Sequence, residues 1–589
     1  MKQFISRRSF MKAAGAATAL TAVSFAAPAA SAEETNCFLG DKSAVTILYT
    51  NDVHTYIDKK SPELTYAAIA ALKKSYEDAG QNVLLVDAGD HIQGTAYGSM
   101  DDGETIIKLM NEAGYDLATP GNHEFDYGMA RAKAVMKEAD FPYISCNWVD
   151  LRTGLKVLPT IKMFTIGGAR IAFVGVTTPE TFTKSTPAYF MNASQTKYIY
   201  DILGGDDGQK LYNAVQKAID KAKFLGATYI IGLGHLGVDP SSSPWTSEEV
   251  IAHTTGFDAF IDGHSHTVME NKQVADASGK AVTLTQTGSY FKNVGKMTIG
   301  ADGAITTELI DTYEGADAAV AATAAEWISA VDDMLGEEIA VGDSKFYIND
   351  PATGKRRIRS GETNLGDFVA DGIYTYFNEI EELHCDIAIM NGGGIRTDVD
   401  AGKWTFKTCK QVSPFGNVAC LMSVTGKQIQ DALEFGARFV GPEGKENGGF
   451  LHVAGATYEI HTDIPNTVLT DDKNVWMGSA TGTPRVQNVR IYNKKTGTYE
   501  PLDLNRTYAL AGMNYTLRNL GDGFAMFDGA ELIKDYVSED YLVMSTYAMI
   551  FDAVNDVPVL SSANSPLASY PGYLLNYENP YGAGRIQVV

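Results

Sequence analysis

Five short clusters gather the residue types that bind divalent metals and move protons. They are Asn51-Asp52-Val53-His54, Gly89-Asp90, Asn122-His123-Glu124-Phe125-Asp126, Gly234-His235 and His264-Ser265-His266. Carboxylate, imidazole and amide oxygen are hard-to-borderline ligands for first-row dications. No cysteine takes part. An aspartate can bridge two ions through its two oxygens. Two ions held roughly 3.5–4 Å apart can draw hydroxide from water and clamp a phosphoryl group. Two dications set against Asp52 and Asp90 leave such a site net positive, even with one hydroxide bound. Each cluster alone has a plainer reading. An Asp-x-His pair is often incidental, Asp90 could cap a helix, and His123 could be a hydrogen-bonded structural histidine. All five in order favour a metal site. His91 and His253 lie near the clusters but fit none of their positions, and read as structural.

The elements that must position these residues follow from apolar patterning. Strand candidates are 44–50, 82–88, 115–119, 141–147, 170–177, 228–234 and 257–263, with helix candidates between them at 64–79 and 128–139. This alternation predicts an α/β fold with buried strands. Each cluster lies just past a strand candidate, where open α/β sheets build their active sites. Val320, Ala324, Trp327, Ile328, Val331 and Leu335 recur at helical steps, so 316–336 reads as an amphipathic connector helix. A second block from about 343 to 589 is rich in β-branched residues, turns and tyrosines. In it, CDIAIMNGGGIRTDVDAG (385–402) places three glycines and Arg396 after an apolar strand. Arg359, Phe415 in SPFGN (413–417) and NYTLRNLGDGF (514–524) stand beside it.

A chain of 589 residues exceeds one core, so two domains are expected. The net charge of −24 argues against a nucleic-acid polymer or an anionic membrane as partner. An anionic small molecule would need a local positive site. Residues 1–32 have a basic start, a short apolar run and an Ala-Ser-Ala ending, which together read as a secretory signal. The pair Arg7-Arg8 within SRRSFMK points to twin-arginine export. No later stretch is apolar enough to span a membrane. The five scattered cysteines, Cys37, Cys146, Cys385, Cys409 and Cys420, form no disulfide framework. One bridge among the last three is open.

Asn51-Asp52-Val53-His54, Asp87-Ala88-Gly89-Asp90, Gly121-Asn122-His123-Glu124-Phe125-Asp126, Gly234-His235-Leu236-Gly237 and Gly263-His264-Ser265-His266 resemble the calcineurin-like metallophosphatase series. In this form they are similar to the secreted 5′-nucleotidase/UDP-sugar hydrolase family, across nearly the whole mature chain. The resemblance implies a four-layer αββα metallophosphatase domain (42–312), a helical connector (313–342) and an α/β nucleotide-binding C-terminal domain (343–589). It implies two divalent ions, zinc or manganese. One would take Asp52, His54 and His266, the other Asn122, His235 and His264, with Asp90 bridging. His123 would steady the phosphoryl oxygens or protonate the leaving group, and Asp126 would orient it, a general acid–base pairing. Glu124 has no assigned chemical role, and Gly121 would let the backbone turn tightly.

In the second half, the resemblance implies that Phe415 and Tyr515 sandwich a base and that Asp522 meets the ribose. Arg359, Asn391, Gly393 and Arg396 would hold the rest. The plainer reading of Phe415 and Tyr515 is core packing. The function implied is an exported 5′-nucleotidase, in the periplasm or at the cell surface, with a small nucleotide as substrate. Cyclic 2′,3′-nucleotides, nucleoside di- and triphosphates and UDP-sugars are alternatives on the same site. Thiosulfohydrolase action on this scaffold, or a metal-binding surface protein without turnover, are the rivals. The stacking residues argue against the first, and the His123/Asp126 pair against the second.

Overall fold

Val45–Thr50 is buried at every position and Asn82–Asp87 at all but its first, as strands covered on both faces must be. These strands belong to a computed structural model that describes residues 43–60, 62–192, 196–441, 446–534 and 537–589. The expected signal sequence and Cys37 lie outside them. The first sheet runs in the order Ile305–Ile310, Val294–Ile299, Val45–Thr50, Asn82–Asp87, Leu117–Ala118. Its last three strands are parallel, and the pairings Thr50 with Asp87 and Asp87 with Ala118 bring their carboxyl ends level. In the second sheet, Ala169–Thr177, Tyr229–His235 and Ala259–Ile261 are parallel neighbours, with Thr177 opposite His235. The strand-end clusters of both sheets therefore emerge on one edge.

The sheets pack face to face through Ile47, Tyr49 and Val86 on one side and Phe173, Ile231 and Leu233 on the other. Tyr49 Oη and Thr285 Oγ1 share a 2.6 Å hydrogen bond across the interface. The outer face of the first sheet is covered by Tyr66–Asp78, Glu104–Ala113 and Ala318–Leu335. Gln209–Phe224 and Ser247–Ala252 cover the second. The order is helix, sheet, sheet, helix. The apolar stripe of Ala318–Leu335 packs on the first half, and Trp327 Nε1 donates to the Tyr97 carbonyl at 2.8 Å.

Residues 141–147 do not form the expected strand. They bond briefly to each sheet instead: Ala118 N–H to Pro142 O and Ile144 N–H to Ala118 O on one side, and Cys146 N–H to Gly175 O on the other. An apolar run stitched between two sheets has the composition of a strand without a partner along its length. Cys146, Cys385, Cys409 and Cys420 are buried and none is in a disulfide, so no bridge forms among the last three.

The second half centres on a mixed sheet ordered Leu451–Ala454, Ile387–Asn391, Thr507–Met513, Ala419–Thr425, Glu531–Lys534. Asn364–Thr375, buried along its whole length, packs on one face and Gly426–Gly436 on the other. The whole is a two-domain α/β protein.

Polar contacts join the halves. Lys407 Nζ donates to Tyr97 Oη at 2.6 Å and Asp332 at 2.7 Å. Lys473 Nζ pairs with Asp201 at 2.7 Å, with both side chains 16% exposed, and sits 4.0 Å from the Phe182 ring centroid. A desolvated ion pair over an aromatic face contributes more than a surface pair. A double-mutant cycle of Lys473→Ala and Asp201→Ala, read by urea unfolding, should show a coupling of about 1 kcal/mol. Strict additivity would mean that this contact does not help hold the halves together.

Candidate metal centre and interdomain cleft

The five strand-end clusters converge. Donor atoms of Asp52, His54 and His266 lie within 4.8 Å of one another, as do those of Asp90, His235 and His264. His54, Asp90 and His123 form a third such group between them. The rings are held by their far nitrogens. His54 Nδ1 donates to Gln93 O at 2.8 Å, and His235 Nδ1 donates to Ala88 O at 2.7 Å. Their Nε2 atoms are thereby turned inward. His54 Nε2 faces His266 Nε2 at 3.1 Å, and His235 Nε2 lies 3.0 Å from Asp90 Oδ2.

Two buried acceptors here, Asp52 Oδ1 and Asn122 Oδ1, have no hydrogen-bond partner among the described residues. Buried polar atoms are normally paired, so an unpaired acceptor set fits a cation. Titration directions agree. Burial alone would lower His235, but the Asp90 and Asp52 carboxylates outweigh it and hold the ring up at about 10. A dication is the natural replacement for that proton. His54, lowered well below its ordinary value chiefly by burial, is neutral and ready to ligate. The backbone is bent to this end. Asp52, His54, Asp90, His264 and His266 have φ of 50°, 50°, 60°, 80° and 55°. That left-handed region costs non-glycine residues about 1 kcal/mol or more each and clusters at functional sites.

Residues without an expected role explain how the loops are held. Glu124 accepts the backbone N–H groups of Asp90 and His91, each at 2.8 Å, and of Gly121 at 2.6 Å. It ties the Asp90 loop to the Asn122 turn. Gly121 has no left-handed φ, contrary to the expected tight turn. It is needed for closeness, because a Cβ there would sit 2.2 Å from Asp90 Oδ1. His91 is buried and satisfied by Asp87 at 2.8 Å and Tyr143 at 2.7 Å. Asn51 donates to Asp52 Oδ2 at 2.6 Å and accepts from Thr287. Glu180 accepts from His264 Nε2 at 2.8 Å and from Ser242 Oγ at 2.6 Å. Burial would raise this carboxyl, but Lys184 and His264 outweigh it and bring it to about 2.

His123 Nδ1 meets Asp126 Oδ2 at 2.5 Å, and its backbone N–H donates to Asp90 Oδ1 at 2.8 Å. Burial would lower this imidazole, but Asp126 and Asp90 outweigh it and the net shift is upward. Its ring centroid lies 6.1 Å from that of Phe415, which belongs to the other half.

Both halves line one cleft of about 260 Å³. Asp90, Asn122, His123, Asp126, His264 and His266 form one wall. Arg359, Asn391, Gly393, Arg396, Phe415, Tyr515 and Asp522 line the other. Asp52, His54 and His235 lie beneath, fully buried. Asn391 Nδ2 donates to Asp522 Oδ2 at 2.9 Å, and the Arg396 guanidinium lies 5.7 Å from the Phe415 ring. Tyr515 borders the cleft, but its hydroxyl is committed. It donates to Thr183 O across the halves at 2.9 Å and accepts from Asp522 N–H at 3.0 Å. Arg356 and Lys184 also line the cleft and had no sequence motif to mark them.

Comparison with known proteins agrees with this arrangement. Residues 45–268 match the calcineurin-like phosphoesterase family and 340–529 the 5′-nucleotidase C-terminal domain. Residues 5–24 match the twin-arginine translocation signal, which marks the protein for export. The chain is 27% identical to rat 5′-nucleotidase over 90% of its length and 93% of the relative's. It is 28% identical to a trifunctional nucleotide phosphoesterase of Bacillus subtilis, over 85% of this chain and 33% of that one. The structure superposes on a 5′-nucleotidase precursor from Thermus thermophilus with a TM-score of 0.72 and 25% identity, covering 93% of this chain and 99% of that one. With a metal-type donor cluster opening into a cleft shared by two such domains, the chain belongs to the 5′-nucleotidase family of metal-dependent phosphoesterases.

Proposed function

We propose that the protein hydrolyses the phosphate ester of nucleoside 5′-monophosphates to nucleoside and phosphate after export. The observation that carries this reading is the single cleft in which the donor cluster faces Asn391, Arg396, Phe415 and Asp522. Asp52, His54 and His266 would hold one divalent ion and Asn122, His235 and His264 a second, with Asp90 between them. Zinc and manganese suit this oxygen- and imidazole-rich set. When bound, the ions supply positive charge to the phosphoryl oxygens and make a water acidic enough to attack.

The chain's own groups do the rest. Asp126 holds Nδ1 of His123, so the opposite nitrogen, Nε2, is the one free to act on the substrate. A proton on Nε2 can pass to the departing ribose oxygen, which leaves as a neutral hydroxyl. Arg359 and Arg396 place fixed positive charge on the cleft wall for the anionic substrate. Phe415, half-buried and capped by Arg396, offers a face on which a base can stack. Asp522, steadied by Asn391, is an acceptor suited to ribose hydroxyls. Tyr515 borders the same wall.

Purified mature protein should release phosphate from nucleoside monophosphates when Mn²⁺ or Zn²⁺ is present and lose that activity with chelator. The same assay should include 2′,3′-cyclic nucleotides, nucleoside di- and triphosphates and UDP-glucose. Metal-dependent turnover confined to a non-monophosphate would replace the monophosphate reading. No turnover with metal demonstrably bound would favour a binding protein.

The roles separate by mutation. His123→Ala should lower kcat by about 10²–10⁴-fold with metal content intact, whereas Asp90→Ala should lose metal as measured by elemental analysis. Equal metal loss in both would overturn the assignment of His123 as a proton donor rather than a ligand.

A further inference from the structure

One buried carboxylate at the donor cluster has no task in this scheme. Glu180 is 7% exposed and lies just past the strand Ala169–Thr177. Its Oε2 receives both His264 Nε2–H at 2.8 Å and Ser242 Oγ–H at 2.6 Å. With Nε2 engaged, Nδ1 is the His264 nitrogen left to join Asp90 and His235 in their donor group.

The two sides of the cluster differ in charge. The Asp52, His54, His266 side has a carboxylate of its own. The Asn122, His235, His264 side has two imidazoles and an amide but no carboxylate of its own, and shares only Asp90. The ring supports differ to match. His54 and His235 lean on neutral backbone carbonyls, and His264 leans on a carboxylate. A carboxylate behind a ligating imidazole fixes its tautomer and raises its basicity.

We infer that Glu180 is a positioning residue for the second ion. It holds His264 with Nδ1 inward and supplies, one residue removed, the negative charge that Asn122 does not. Ser242 holds the carboxylate in place. The inference rests on the ligand assignment proposed above.

The test measures metal rather than turnover. Wild type, Glu180→Gln, Glu180→Ala, Ser242→Ala and His264→Ala are titrated with Mn²⁺ against a chromogenic chelator, with bound metal counted by elemental analysis. Wild type should bind two ions. Glu180→Ala should keep one with unchanged Kd and bind the other about 10–100-fold more weakly. Glu180→Gln keeps an acceptor without the charge and should fall between. Ser242→Ala, the mildest change, should weaken the same ion by roughly threefold, less than the Glu180 variants, and it keeps the test decisive if a Glu180 variant fails to fold. His264→Ala should lose that ion. Wild-type Kd values for both ions in the Glu180 and Ser242 variants would overturn the role of Glu180 alone. Two ions retained by His264→Ala would overturn the ligand assignment and the role of Glu180 with it.

Discussion

A buried set of acceptors that the protein itself does not pair is the constraint around which this molecule is built. Asp52 Oδ1 and Asn122 Oδ1 are shut away from water with no hydrogen-bond partner among the described residues. Asp90 and Asp52 bring two carboxylates into the same small volume. Burying such groups without a counter-charge is strongly unfavourable. Five of the surrounding residues are also held at left-handed φ. A fold keeps these expenses together only if a positive species offsets them, which is why the donor set reads as a metal centre rather than as a polar core.

The architecture serves that point. Two parallel strand sets end level with one another, so loops far apart in sequence arrive at one edge. Glu124 then locks two of them by accepting backbone N–H groups from both. Outer partners aim the rings: Gln93 and Ala88 carbonyls for His54 and His235, Glu180 for His264. The metal-type cluster alone would be indifferent to what carries the phosphate. The second half places Phe415, Asn391 and Asp522 across the cleft, where the proposed function has them supply that selectivity. It touches the first half through the polar contacts of Lys407, Lys473 and Tyr515 and through Phe406 and Tyr541, which pack against the first half's core.

The sequence by itself determined the donor types and their order. Each cluster is contiguous and follows an apolar run, so both its chemistry and its place at a strand end are local properties. The helical stripe at 318–335 and the α/β alternation were legible for the same reason. Only the tertiary structure decided which nitrogen of each histidine faces inward, because that depends on acceptors from distant segments. The roles of Glu124 and Glu180 were hidden likewise. Glu124 sits within a cluster but acts on backbone groups, and Glu180 is a lone glutamate whose partners are a serine and a histidine 62 and 84 residues away. Gly121 looked like a turn and proved to be a close approach to Asp90. Residues 141–147 looked like a strand and proved to be a stitch between sheets. Apolar pattern reports burial, and burial does not say which neighbour the backbone will meet.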